Sequence, residues 1–330
     1  MKIEPAKPEE FCQIIDLFRQ YNFALKEERW FNWKHLHNPN SKALVFKLLE
    51  DDRLDGTIAV ISQTFYQGGR KLLALQAVDG LMGKSLRGRG FFSEVMAFIA
   101  GLKPEEKDTP YFRLGFASLP ASIKGLEKAG WKKFSHFRIY KAILDTRPFL
   151  SFTGGKMLSV ILQPVISIYL TWLCRGHGNV EVKKIDRFVE DMNRFQPMNR
   201  IVGDRSAEFL NWRVIDNPRD TLHAFGFYEN GKLVGYAVCK ELHDLWEVLE
   251  FRTSLPGPQV IASLIKYISK RKLTCALDFW LMEGHEQFHN LPTGLLNRGI
   301  NGAMFVNGHQ EIGLSDENIN WAASYLDSDW

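Results

Sequence analysis

The sequence predicts two tandem copies of one mixed α/β fold, an α+β mixed sheet, joined by an apolar linker. Three observations predict it. The 330-residue chain matches itself without gaps at a shift of 179 residues. Strand-like and helix-like segments alternate within each copy. An uncharged stretch, Met157–Cys174, lies between the copies. The boundaries are 1–147, a linker at 148–180, and 181–330. With 45% apolar and 13% aromatic residues the chain can bury a sizeable core, which excludes disorder. A net charge of +4 is too balanced for a nucleic-acid-coating protein.

The repeat is densest where Asn32-Trp33-Lys34, Leu36 and Asn38-Pro39 meet Asn211-Trp212-Arg213, Ile215 and Asn217-Pro218. In each copy a helix carrying the Asn-Trp pair stops at Asn-Pro, because proline disfavours helical geometry in the residue before it. Two strands follow, Ala43–Leu49 and Asp55–Thr64 in the first copy, Leu222–Tyr228 and Leu233–Cys239 in the second. The turn Glu229-Asn230-Gly231 signals a hairpin. Next come a strand at Leu72–Leu81, an apolar-periodic helix at Phe91–Leu102 and a strand at Tyr111–Ala117. A helix at Ala121–Ala129 ends at Gly130, and Trp131–Leu144 supplies one or two closing strands. The predicted order of the first copy is β, α, α, β, β, β, α, β, α, β.

The segment most informative about chemistry is Asp79-Gly80-Leu81-Met82-Gly83-Lys84-Ser85-Leu86-Arg87-Gly88-Arg89-Gly90-Phe91-Phe92. A strand ends, a basic glycine-rich turn follows, and an apolar helix begins. Unpaired amides at a helix N-terminus carry partial positive charge and suit phosphate. Gly88 and Gly90 permit close backbone approach, and Arg87 and Arg89 add charge. A solvated surface turn is the alternative. Two other nucleotide motifs fail: a Walker loop would need glycine at Val78, and a dinucleotide fingerprint would need glycine or alanine at Ser93.

On these residues the first copy resembles the GNAT superfamily of acyl-CoA N-acyltransferases, whose turn reads [RQ]-x-x-G-x-[GA]. Arg87 and Gly90 match, and Phe92 replaces the last small residue. Gly115-Phe116-Ala117-Ser118 and Ser122 to Glu127-Lys128-Ala129-Gly130-Trp131 are similar to the family's following strand and helix. The resemblance implies acetyl-CoA as cosubstrate, with its pyrophosphate on the amides of Arg87, Gly88, Arg89, Gly90, Phe91 and Phe92. It implies pantetheine along Leu81, Met82 and Gly83, with Ser118 and Ser122 on the other side. An amine would attack the thioester carbonyl directly. The acceptor would be an amine-bearing small molecule, an amino sugar or a peptide.

Two departures stand out. Leu126 occupies the place of a frequent tyrosine acid, and Gly83-Lys84 replaces a usual pair before the turn. Asp79 is the local candidate base, or else a strand-end carboxylate paired with Arg87 or Lys84. An acyl-CoA-binding or scaffold protein without catalysis is the rival reading.

The second copy reads as degenerate, because its corresponding turn is Ser254-Leu255-Pro256-Gly257-Pro258-Gln259, with two amide donors deleted and no arginine. It could still form a wall of the acceptor site. His285-Glu286-Gln287-Phe288-His289 spells a zinc-hydrolase motif, with His309 and Glu311 as further ligands, but Pro292 leaves little room for its helix, and no metal is expected. The chain end offers Asp327 and Asp329 to a cationic acceptor or to solvent. The linker reads as an interdomain helix, a peripheral membrane contact through 157–174, or a short span. Four scattered cysteines and an N-terminus without an apolar signal segment point to the cytoplasm.

Overall fold

A computed structural model describes residues 1–23, 26–106, 108–147, 155–175, 180–197, 199–282, 291–292, 294–308 and 321–328. The first half runs β1 (Lys2–Pro5), α1 (Phe11–Gln20), α2 (Glu28–Leu36), β2 (Leu44–Glu50), β3 (Arg53–Gln67), β4 (Arg70–Met82), α3 (Phe91–Ala100), β5 (Tyr111–Ala117), α4 (Pro120–Lys128) and β6 (Lys132–Ile143). This is the predicted order, with one closing strand. Helix α5 (Gly155–Leu173) then leads to β7 (Glu181–Ile185), β8 (Ile201–Gly203), α6 (Ala207–Leu210), β9 (Leu222–Glu229), β10 (Lys232–Leu242), β11 (Leu245–Thr253), α7 (Gly257–Arg271), β12 (Ala276–Met282) and β13 (Leu296–Asn307). Asn230 and Gly231 both have positive φ (51° and 76°), the backbone that a two-residue hairpin turn between β9 and β10 demands.

All described strands share one sheet, ordered β1-β2-β3-β4-β5-β13-β6-β12-β11-β10-β9-β7, with β8 pairing separately onto β3. The order is a palindrome about the β13/β6 seam. The last strand of each half has crossed over: β13 pairs with β5, and β6 pairs with β12. Two neighbouring pairs are parallel, β4 with β5 and β11 with β12, one in each half.

The repeated residues meet near the centre. Trp33 Nε1 donates to the Trp212 carbonyl (3.1 Å), and Trp212 Nε1 donates back to the Trp33 carbonyl (3.2 Å). Their rings stack with centroids 4.8 Å apart. Both helical segments close on a wide turn, His37 N to Asn32 O and Asp216 N to Asn211 O. Past each, an asparagine side chain turns the chain: Asn38 Oδ1 accepts from Asn40 N (2.9 Å), and Asn217 Oδ1 from Arg219 N (3.0 Å). These paired contacts give the Asn-Trp and Asn-Pro strings a structural reason. A single core cluster joins Trp33, Val78 and Leu81 to Trp212, Tyr236 and Leu249.

Helix α5 packs one side on the second half through Tyr169, Leu170 and Leu173, with Cys174 just past its end. Its other side, including Met157, Ile161, Val165, Ile168 and Trp172, stands exposed. No helix among the described residues is long and apolar enough to cross a membrane.

Candidate functional site

The parallel pairing of β4 and β5 ends at Ala77 and Gly115, although both strands continue. Beyond that point they part, and the edge of β4 facing the gap has no strand beside it. A bulge sits there: Asp79 and Gly80 together oppose Ile58 of β3, and Asp79 takes φ 54°. The gap holds a pocket of about 280 Å³ bordered by Trp30, Lys34, Asp79, Ser118, Ser122 and Arg219, with Met96 and Leu126 among its apolar walls.

A second cavity of about 760 Å³ adjoins it and shares Phe23, Gly80, Phe92, Leu119 and Ser122. Its walls include the predicted residues Leu81, Met82, Arg87, Gly88, Gly90, Phe91, Phe92 and Ser122. Gly88 (φ 75°) and Gly90 (φ 85°) adopt left-handed backbone. Gly90 is the N-cap of α3 and has no side chain to cap it, so the first amides keep their donors for a ligand. Arg87 donates from Nε to the Met82 carbonyl (2.7 Å) and lies over the Tyr21 ring.

Three predicted residues lie elsewhere than in this groove. Gly83 packs against Asp55, and its amide donates to the Asp55 carbonyl (2.6 Å). Arg89 pairs with Glu50 (2.5 Å). Ser118 borders the smaller pocket.

Among the groove residues that sequence reasoning missed, four shape it most directly. Tyr21 fixes the turn, its hydroxyl donating to Asp55 Oδ1 (2.7 Å) and accepting from Lys84 N (2.9 Å). Lys124 and Lys128 lie four residues apart on α4 and face the groove, with Lys128 Nζ 3.8 Å from where a Gly90 side chain would begin. The spacing of the two lysines on a predicted helix was the available signal. Gly125 receives Phe92: a Cβ at 125 would stand 2.3 Å from the Phe92 ring. The large residue at the end of the arginine turn is thus matched by an absent side chain on α4.

Asp79 is not paired with Arg87 or Lys84, the partners its sequence neighbourhood suggested. Lys34 Nζ lies 2.9 Å from its carboxylate, and His35 Nε2 lies 3.2 Å away. All three side chains are nearly or fully buried. Burial raises the carboxyl pKa, but the Lys34 ammonium and the His35 ring outweigh it and hold the group at about 2. Asp79 is therefore ionised at neutral pH and weakly basic.

The corresponding gap in the second half is filled. Pairing of β11 with β12 ends at Val248 and Phe279, and the chain end packs beyond it. Tyr325 stacks on Trp280 (4.1 Å), and Ser324 Oγ donates to Glu250 Oε2 (2.5 Å). Asp327, expected in solvent or beside an acceptor, is fully buried and accepts from Arg205 Nη2 (2.7 Å). The Arg205 guanidinium and the Ser324 amide, which donates to the other Asp327 oxygen (2.8 Å), explain the difference. Glu250 sits two residues past the last parallel pair, as Asp79 does in the first half; burial raises its pKa, but the Arg205 and Arg252 guanidiniums outweigh this and hold it at about 2. The strings around His285, His289, His309 and Glu311, and Asp329, lie outside the described residues. Among the described residues no cluster suited to a metal ion occurs.

No protein-family model and no curated protein sequence matches the chain. Solved structures do. A protein of Enterococcus faecalis V583 described as a "Probable N-Acyltransferase" aligns with TM-score 0.61 and 14% identity over 92% of this chain and 71% of its own. A GCN5-related N-acetyltransferase of Anabaena variabilis aligns at 0.60 and 13%, over 92% and 72%. The chain has the GNAT fold. The N-myristoyltransferase of Saccharomyces cerevisiae, solved with bound myristoyl-CoA, aligns with it over 97% of this chain and 89% of its own (TM-score 0.56, 12% identity). In this GNAT-fold chain the groove is lined by the first half, the smaller pocket adds Arg219 of the second half to first-half walls, and the buried tail packs on the second half.

Proposed function

We propose that the protein is an acyl-CoA N-acyltransferase whose first half binds acetyl-CoA and passes the acyl group to an amine. The observation that carries this reading is the continuity of groove and pocket at the parting of β4 and β5. The cofactor's phosphates would take the amides at the start of α3 with Arg87, Lys124 and Lys128. Pantetheine would run along the open edge of β4 toward the smaller pocket. The modest volume of that pocket, shared by acyl group and acceptor, favours acetyl or another short acyl group. The amine attacks the thioester carbonyl, the C–S bond breaks as the tetrahedral oxyanion collapses, and the proton on the attacking nitrogen passes to the departing thiolate, so that coenzyme A leaves as the thiol. Asp79, ionised and held by Lys34, orients the amine rather than removing its proton. The halves would be units 1–147 and 181–330, tandem copies of one fold, the second unable to bind the cofactor.

The test is acetyl-CoA binding by calorimetry, followed by coenzyme A release with a panel of amines. Binding is expected, weakened about tenfold when Lys124 and Lys128 are both alanine, with a smaller salt dependence than the parent chain. Asp79→Asn is expected to lower turnover while leaving cofactor affinity unchanged. Tight binding without turnover on any amine would leave a non-catalytic acyl-CoA-binding protein; absence of binding would end both readings.

A peripheral membrane contact has one observation in its favour. Helix α5, uncharged from Met157 to Leu173, exposes Met157 (73%), Ile168 (71%) and Trp172 (51%) along one side. In this reading the protein is cytoplasmic, its four cysteines free, and it rests on a lipid surface through α5. Co-sedimentation with anionic phospholipid vesicles is expected, and loss of it in Ile161→Asp/Ile168→Asp. Recovery of the parent chain wholly in the supernatant would remove the membrane from the list of partners.

A further inference from the structure

We infer that the acceptor amine also carries an anionic group, and that Arg219 of the second half receives it. This rests on the acyltransferase reading of the first half. Three ionic side chains border the smaller pocket: Lys34, Asp79 and Arg219. Lys34 and Asp79 neutralise each other at 2.9 Å. Among the described residues Arg219 has no counter-ion so close. Its contact with Asp220 is long, 3.9 Å, and Asp220 is drawn instead to Lys240 at 2.9 Å. Among the described lining residues this leaves one positive charge, on a residue that does not line the larger groove.

The arginine is also held for recognition. Its guanidinium carbon lies 3.8 Å from the centre of the Trp30 ring, so the group stacks face-on against the first half. Stacking uses the face of a guanidinium and leaves its in-plane N–H fork for a planar anion. Its backbone is fixed as well, since Arg219 N donates to Asn217 Oδ1 in the turn after the repeated Asn-Pro string. The aligned residue of the first half is Asn40, which instead bonds Thr64 within its own half. The cation therefore belongs to the second half alone. An amine entering this pocket meets an ionised carboxylate for its nitrogen and a guanidinium for an acid group elsewhere on the same molecule. A carboxylate and a phosphate share that chemistry.

Matched acceptors test the inference: amino acids against their amides, and O-phosphoethanolamine against ethanolamine, with acetyl-CoA saturating. Acidic members of one or both pairs are expected to show kcat/KM at least tenfold above their neutral partners. Arg219→Ala is expected to raise KM for the acidic acceptor about tenfold to a hundredfold, leave the neutral partner unchanged, and be partly repaired by Arg219→Lys. Calorimetry gives a reading without turnover: N-acetyl amino acids should bind the coenzyme A complex more tightly than their amides, and Arg219→Ala should erase the difference. Equal use and equal binding of acidic and neutral partners by the parent chain would overturn the inference alone. So would a loss in Arg219→Ala that strikes both alike. Failure to bind acetyl-CoA would overturn the acyltransferase reading, and the inference with it.

Discussion

Arg205→Ala is expected to cost about 3–5 kcal/mol of folding stability, measured as the shift in the urea unfolding midpoint. The side chain is fully buried, and it donates to Glu250 Oε2 (2.7 Å) and to Asp327 Oδ1 (2.7 Å). Removing it strands two carboxylates away from water, with Arg252 Nε at 3.7 Å from Glu250 as a poor substitute. The same network makes the fold acid-sensitive. Glu250 has a pKa near 4.5 in an unfolded chain and about 2 in the folded one. Its contribution, on the order of 3 kcal/mol, is present above pH 4.5 and lost as pH falls toward 2. A loss below about 1 kcal/mol in Arg205→Ala would mean that the tail is held by packing of Tyr325 and Trp321 rather than by the ion pairs.

Gly125→Ala should damage the larger groove from a distance. The new methyl would stand 2.3 Å from the Phe92 ring, so the ring must move, and it borders both cavities. Overpacking of this kind costs about 1–3 kcal/mol of stability. Acetyl-CoA affinity is expected to fall at least tenfold, read by calorimetry, because Phe92 belongs to the first turn of α3. Phe92→Ala introduced into the same chain should recover most of the binding by vacating the space. A Gly125→Ala protein that binds acetyl-CoA as the parent does would show that the ring has another place to go.

Local features were legible in the sequence because their causes are local. The limits of Tyr111–Ala117 coincide with β5, since its apolar run and flanking turn residues carry that information. The glycine-rich turn led to most of the groove for the same reason. What escaped was set by partners distant along the chain. Periodicity says that Trp131–Leu144 is extended, but not that β6 pairs with β12 of the other half. Lys34 reaches Asp79 from 45 positions upstream, where nearby Lys84 and Arg87 were the obvious partners. Arg219 lies in the other copy altogether. The buried fate of Asp327 was illegible because a polar chain end resembles any solvated tail until its arginine is located.

The crossed strands have a consequence for the order of folding. The pocket wall formed by Gly115 and Ala117 is hydrogen-bonded to Phe305 and Ala303 of β13, near the end of the chain. A ribosome that has just released the first half has made every residue of the groove, yet β5 still lacks its neighbour and presents an open edge. Pairing across so long a separation is entropically late and slow. The site can therefore mature only after β13 has been made, and a chain truncated before β13 would carry the whole glycine-rich turn without a finished pocket behind it.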